Sequence, residues 1–142
     1  MATIDMSWRL RMLSIHVLVV DDYQAMRMTI RRMLMEQGFS SILEARDGLE
    51  ALVLLRGCPV DIVISDLVME RMDGLELLRE IRSDTNLTKL PFIMITATAD
   101  RDRVIAAKAA GVTGYVVKPF TASILKSKIA SVLADVPKAR PI

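Results

Sequence analysis

Three carboxylates, one hydroxyl and one ammonium stand at the ends of separate apolar runs in this sequence. Asp21 and Asp22 close the run from Ile15 to Val20, and Asp66 follows the run Ile62, Val63, Ile64 with Ser65 between them. Thr96 ends Phe92 to Ile95, and Lys118 ends Tyr115 to Val117. Short apolar runs rich in β-branched residues read as strands buried on both faces. In an open parallel sheet, ligands bind at the carboxyl ends of the strands, so the five side chains should meet on one edge. Carboxylates crowded into a site of reduced dielectric raise each other's pKa. Lys118 offsets one of the three charges, and a hard divalent cation would neutralise the rest. Mg²⁺ suits such a place, because it takes a few carboxylates, keeps waters and accepts a phosphate oxygen. A carboxylate can also attack phosphorus and carry the group as an acyl phosphate. Cation, ammonium and hydroxyl would then stabilise the oxygens of the transferred group.

The elements that must position these residues alternate along the chain. Tyr23 to Gln37 carries Met26, Ile30, Met33 and Leu34 at helical spacing, and Gly38 stops it. Ser41 to Ala45 reads as a second strand, and Asp47-Gly48 opens a helix ended by Gly57-Cys58-Pro59. Ser65 and Asp66 bring the chain out of the third strand. Asp73-Gly74 closes the following loop, and Leu75, Leu78 and Ile81 share one face of a helix to Arg82. Asp100 to Ala110 is an alanine-rich helix stopped by Gly111, and Thr121 to Ala134 is the last helix. Strand and helix repeat five times, which predicts a doubly wound α/β fold with a five-stranded parallel sheet and five helices. Right-handed crossovers leave few topologies. The flavodoxin-like order 2-1-3-4-5 brings strands one and three together at a switch point, with Asp22 facing Asp66.

Composition bounds the function. The chain has 142 residues, 52% hydrophobic and 25% charged, as expected of one globular domain. A net charge of +2 gives no argument for nucleic acid or a membrane surface. No apolar run approaches the ~20 residues of a membrane span. Cys58, the lone cysteine, cannot form an internal disulfide, which fits a reducing, cytoplasmic setting. Arg9, Arg11 and the run from Met12 faintly suggest a signal peptide, but the run ends in Asp21-Asp22 without a cleavage site. Residues 1–12 are expected to be a mobile extension, and residues 135–142 a fraying tail.

The chain resembles a response-regulator receiver domain, and within that family the single-domain chemotaxis type (CheY-like). The residues that carry the likeness are Val19-Val20-Asp21-Asp22, Asp66 with Met69 and Met72-Asp73-Gly74, Thr96-Ala97, and Gly114 to Phe120. It spans residues 13–134. The resemblance implies that Asp66 is the phosphoacceptor, that Asp22 binds Mg²⁺ directly, and that Asp21 acts chiefly through water. The Val68 carbonyl would complete the protein ligands, Thr96 would bond the phosphoryl group, and Lys118 would pair with it. Tyr115 would be the switch aromatic that moves inward with Thr96, and the Lys118-Pro119 peptide is expected to be cis. A histidine kinase or histidine phosphotransfer protein would supply the phosphoryl group to a monomer that then binds a downstream protein. Two features depart from the pattern. Glu70 stands where the family usually has proline, and Val68 and Thr98 occupy the positions that tune dephosphorylation.

Bland readings apply elsewhere. Asp73 before Gly74 reads as a helix cap rather than a ligand. His16 reads as a packed strand residue and Cys58 as an inert small one. Met28 and Met35, beside Arg31 and Arg32, offer a docking face on the outside of the first predicted helix. A haloacid dehalogenase-type phosphatase needs Asp-x-Asp after its first strand, and Asp21-Asp22-Tyr23 does not supply it. The turn after the first strand also lacks a phosphate loop for a flavin. A degenerate receiver acting only as an interaction module, or a phosphorelay intermediate, are the alternatives. No residues are left for a DNA-binding output domain, so the output is expected to be another protein.

Overall fold

The computed structural model describes residues 6–97 and 101–134. Five parallel strands, β1 (His16–Val20), β2 (Ser41–Ala45), β3 (Ile62–Asp66), β4 (Phe92–Thr96) and β5 (Gly114–Val117), lie in the order β2-β1-β3-β4-β5. Fold class and strand order are as the sequence pattern predicts. Val20 is level with Ser65, Asp66 with Ile95, and Thr96 with Val117. The register therefore brings the last residue of β3 and the residues that follow β1 and β5 to one edge of the sheet.

Successive residues of a strand point to opposite faces, and both faces of this sheet are buried. Val17 and Val19 join one apolar cluster with Ile30, Leu34, Leu125 and Ile129. These come from α2 (Gln24–Glu36) and α6 (Ala122–Ala134). Leu18 and Val20 join the other cluster with Leu52, Leu55, Leu77, Leu78, Ile81 and Ala107. That side is covered by α3 (Gly48–Gly57), α4 (Gly74–Ser83) and α5 (Arg101–Ala109). Gly38, at φ 104°, and Gly111, at φ 91°, end α2 and α5 in the left-handed conformation that glycine adopts without strain.

Two expectations need correction. There are six helices among the described residues, not five, because α1 (Met6–Ser14) begins within the expected mobile extension and runs two residues past it. Its periodicity is weak, and tertiary contacts hold it instead. Met12 is fully buried in the cluster shared with Leu34, Phe39 and Leu133. The Arg11 guanidinium donates to the Leu133 carbonyl in the last turn of α6 at 3.0 Å. The second correction is smaller. Ser65 and Asp66 do not leave the sheet; β3 runs through Asp66, which pairs with β4.

Arg82 ties together three segments of the α4 side. Its guanidinium donates to the carbonyls of Leu90 at 2.7 Å, Thr88 at 3.2 Å and Gly111 at 2.9 and 3.0 Å. Burial lowers its pKa from the usual arginine value.

If α1 belongs to the core, Met12→Ala should cost about 2–5 kcal/mol, the range for a fully buried methionine. Urea denaturation measures this directly. A cost near zero would mean that the helix rests on the domain without supporting it.

Candidate functional site

Each side chain at the carboxyl edge is placed by backbone bonds of its own strand or of a neighbouring one. The Asp21 N–H donates to the Ala45 carbonyl at 3.1 Å, and its carboxylate accepts from the Tyr23 N–H at 2.8 Å. Arg27 of α2 donates to the Asp21 carbonyl at 2.7 Å and pairs with Glu44 at 3.2 Å, which pins the turn after β1. Asp66 ends β3, and the next N–H, of Leu67, donates to Ile95 at 2.8 Å. A Cβ on Gly74 would collide with the Asp66 carbonyl oxygen, so only glycine lets α4 start this close to β3. The Lys118 N–H donates to the Thr96 carbonyl at 2.7 Å, and the Lys118-Pro119 peptide is cis.

These bonds bring the chemistry together. Carboxylate oxygens of Asp21, Asp22 and Asp66 lie within 4.8 Å of one another. Asp21 and Asp66 are buried, whereas Asp22 is exposed at the mouth. The Lys118 ammonium sits 3.6 Å from an Asp21 oxygen and 3.5 Å from an Asp66 oxygen. Thr96 is buried at the end of the neighbouring strand. Three hard oxygen donors converging with one side open to solvent fit a small divalent cation that keeps part of its water shell.

Burial pushes the Asp66 carboxyl above its usual value; Lys118 opposes the rise and Asp21 adds to it. Burial raises Asp21 too, against the hydrogen bond from Tyr23 and the charge of Lys118. The pocket thus holds two acids that resist ionisation, partly compensated by one cation.

Residues 17–130 match the response regulator receiver domain. The chain belongs to the response regulator receiver family. It is 46% identical over 120 residues to the chemotaxis protein CheY of Pseudomonas aeruginosa, covering 84% of this chain and 97% of that one. It is 47% identical over 113 residues to the chemotaxis protein CheY-3 of Vibrio cholerae, covering 80% and 87%. Among solved structures, chemotaxis protein CheY4 of Vibrio cholerae is similar with a TM-score of 0.79 at 32% identity, over 84% of this chain and 98% of that one. A receiver of this type is a phosphoacceptor signalling switch.

The other residues singled out in the sequence fall in distinct parts of this receiver. The Tyr115 phenol oxygen is enclosed without a hydrogen-bond partner among the described residues, and its ring packs against the α4-side cluster. Val68 is 58% exposed, and Glu70 is exposed in the same loop. Thr98 lies outside the described residues. Asp73 is a cap: it accepts from the Glu76 N–H at 2.9 Å, and Glu76 reaches back to the Asp73 N–H at 3.3 Å. His16 is remote from the pocket, at the start of β1, with Nδ1 2.6 Å from the Ser41 hydroxyl. Cys58 is half-buried at the end of α3. No described helix is long and apolar enough to cross a membrane. Sequence reasoning missed Arg27, whose bond to the backbone of Asp21 has no local signature.

The raised carboxyls give a pH dependence with a definite sign. A carboxyl whose folded value exceeds its unfolded one binds its proton more tightly in the fold. Its contribution to stability is fully present below the unfolded value, near 3.8, and is lost as pH rises through the folded value. In EDTA, Asp66→Asn should therefore melt above the natural protein at neutral pH, with the gap closing as the pH falls toward 4. Identical melting curves for the two proteins across that range would contradict the electrostatic account of the pocket.

Proposed function

We propose that the chain is a chemotaxis-type response regulator whose Asp66 accepts a phosphoryl group from a histidine kinase or histidine phosphotransfer protein. The observation that carries the reading is the single ammonium of Lys118 between two buried carboxylates, with a third at the mouth. One carboxylate oxygen of Asp66 attacks phosphorus, the bond from phosphorus to the donor breaks, and an acyl phosphate forms. Asp21, Asp22, Asp66 and the Val68 carbonyl would hold Mg²⁺, which when bound neutralises charge on the phosphoryl oxygens. The Lys118 ammonium pairs with a phosphoryl oxygen and the Thr96 hydroxyl donates to another. The likeness to proteins named for chemotaxis supports an output by protein binding. The protein acts as a cytoplasmic monomer, in contact with neither nucleic acid nor membrane.

The acyl phosphate is lost when water attacks in line with the bond to Asp66. The exposed Val68 side chain has no polar atom to hold that water, so self-dephosphorylation is slow. Incubation with radiolabelled acetyl phosphate tests both steps. Labelling should require Mg²⁺, vanish in Asp66→Asn and fall sharply in Asp22→Ala. The label should decay several-fold faster in Val68→Asn, on the order of 1 kcal/mol of barrier. Label recovered on Asp21 or Asp22 would overturn the assignment, and an unchanged decay in Val68→Asn would remove Val68 as the cause of the long lifetime.

The switch works by a shift between two packings. As Thr96 moves toward the phosphoryl group, Tyr115 fills the space beside it and the face formed by α5, β5 and α6 changes shape. Beryllofluoride, a phosphoryl mimic, should shift amide resonances at residues 101–110 and 115–125. Shifts confined to the loops around Asp66 would leave the chemistry intact and sink the switch.

A further inference from the structure

Between Asp66 and Gly74 the chain passes through two consecutive non-glycine residues in the left-handed region, Arg71 at φ 52° and Met72 at φ 81°. An L-residue there presses Cβ against the following carbonyl, so the conformation persists only where neighbouring groups impose it. Those groups come from the N-terminus of α3. The Gly48 N–H donates to the Met72 carbonyl at 3.1 Å. A Cβ at Gly48 would lie 2.6 Å from the Met72 Cγ and 2.8 Å from its carbonyl oxygen, so the loop packs directly on glycine backbone. The Arg71 guanidinium reaches an Asp47 oxygen at 3.4 Å. Asp47 is itself 6% exposed and fixed by the helix it caps, accepting from the Glu50 N–H at 2.8 Å. At the other end, the Asp73 cap and a 2.9 Å bond from the Gly74 N–H to the Leu67 carbonyl close the loop.

We propose that Asp47 and Gly48 are positioning residues for the acidic pocket. From the start of α3 they hold the β3–α4 loop, and with it the Val68 carbonyl, in the conformation that completes the metal shell. The proposal rests on the reading of that carbonyl as a Mg²⁺ ligand. Asp47 acts through Arg71, and Gly48 acts through the backbone of Met72. Neither touches the phosphoryl group, so their effect falls on metal affinity and not on the chemical step.

The test is a calorimetric titration of the full chain with Mg²⁺, beside thermal melts in EDTA. Asp47→Asn keeps an oxygen to cap α3 while removing the charge that faces Arg71. Asp47→Asn and Arg71→Gln should each weaken Mg²⁺ binding roughly two- to fivefold, the range of one partly exposed ion pair. Arg71→Lys should restore it, with the metal-free melting temperature unchanged in all three. Gly48→Ala should weaken binding further, although alanine has the better helix propensity. Acetyl phosphate labelling of Asp47→Asn and Arg71→Gln should recover at saturating Mg²⁺. Natural affinity in Asp47→Asn, Arg71→Gln and Gly48→Ala, with Asp22→Ala impaired, overturns this proposal alone. Natural affinity in Asp22→Ala as well overturns the metal pocket and this proposal together. An affinity loss that follows a fall in melting temperature in every variant reduces Asp47 and Gly48 to structural parts.

Discussion

Two buried carboxylates facing one ammonium form the interaction on which the rest of this molecule depends. Taking like charges out of water is costly, and the cost is recovered only where an opposite charge and hydrogen bonds are held in place. Lys118 lies 3.5 and 3.6 Å from its two partners, longer than the ~2.8 Å of a tight charge-assisted hydrogen bond. Compensation is therefore incomplete, and negative potential remains in the pocket. A tighter pairing would make a quieter pocket with less attraction for a cation.

The parallel sheet makes this arrangement possible. Asp21 and Lys118 follow β1 and β5 and Asp66 ends β3, and no local segment contains more than one side of the charge pairing. Parallel pairing sends all the strands to the same edge, so the site assembles only when register is correct. Both faces of the sheet are buried, with Val17 and Val19 on one side and Leu18 and Val20 on the other. Polarity alone cannot set register in such a sheet, because either face would accept either set. Close fits such as Gly74 beneath the Asp66 carbonyl discriminate where polarity does not.

Much of this was readable in sequence because the chemistry stands where an apolar run ends. Gly38 and Gly111 marked helix ends for the same local reason, and Asp73 before Gly74 marked a helix start. What could not be read was carried by contacts distant along the chain. Arg11 meets Leu133, Arg27 meets Glu44, Arg71 meets Asp47, and Arg82 meets Gly111. None of these pairs has a local pattern. The first helix is hidden for that reason: its sequence lacks a strong amphipathic period, and its order comes from a buried methionine and a long-range guanidinium contact. Nothing local marks the end of β3, because Asp66 carries a site side chain while its backbone still pairs with β4.

The first helix separates two units that are usually treated as one. The family match begins at residue 17, yet Met12 and Ile15 lie in the same apolar cluster as Phe39 and Leu133. The family match and the packed core therefore have different boundaries in this chain. A receiver grafted from it at the family boundary would carry the whole acidic edge and leave part of its floor behind. The opening would lie under α2 and beside the end of α6, at the far end of the sheet from the chemistry.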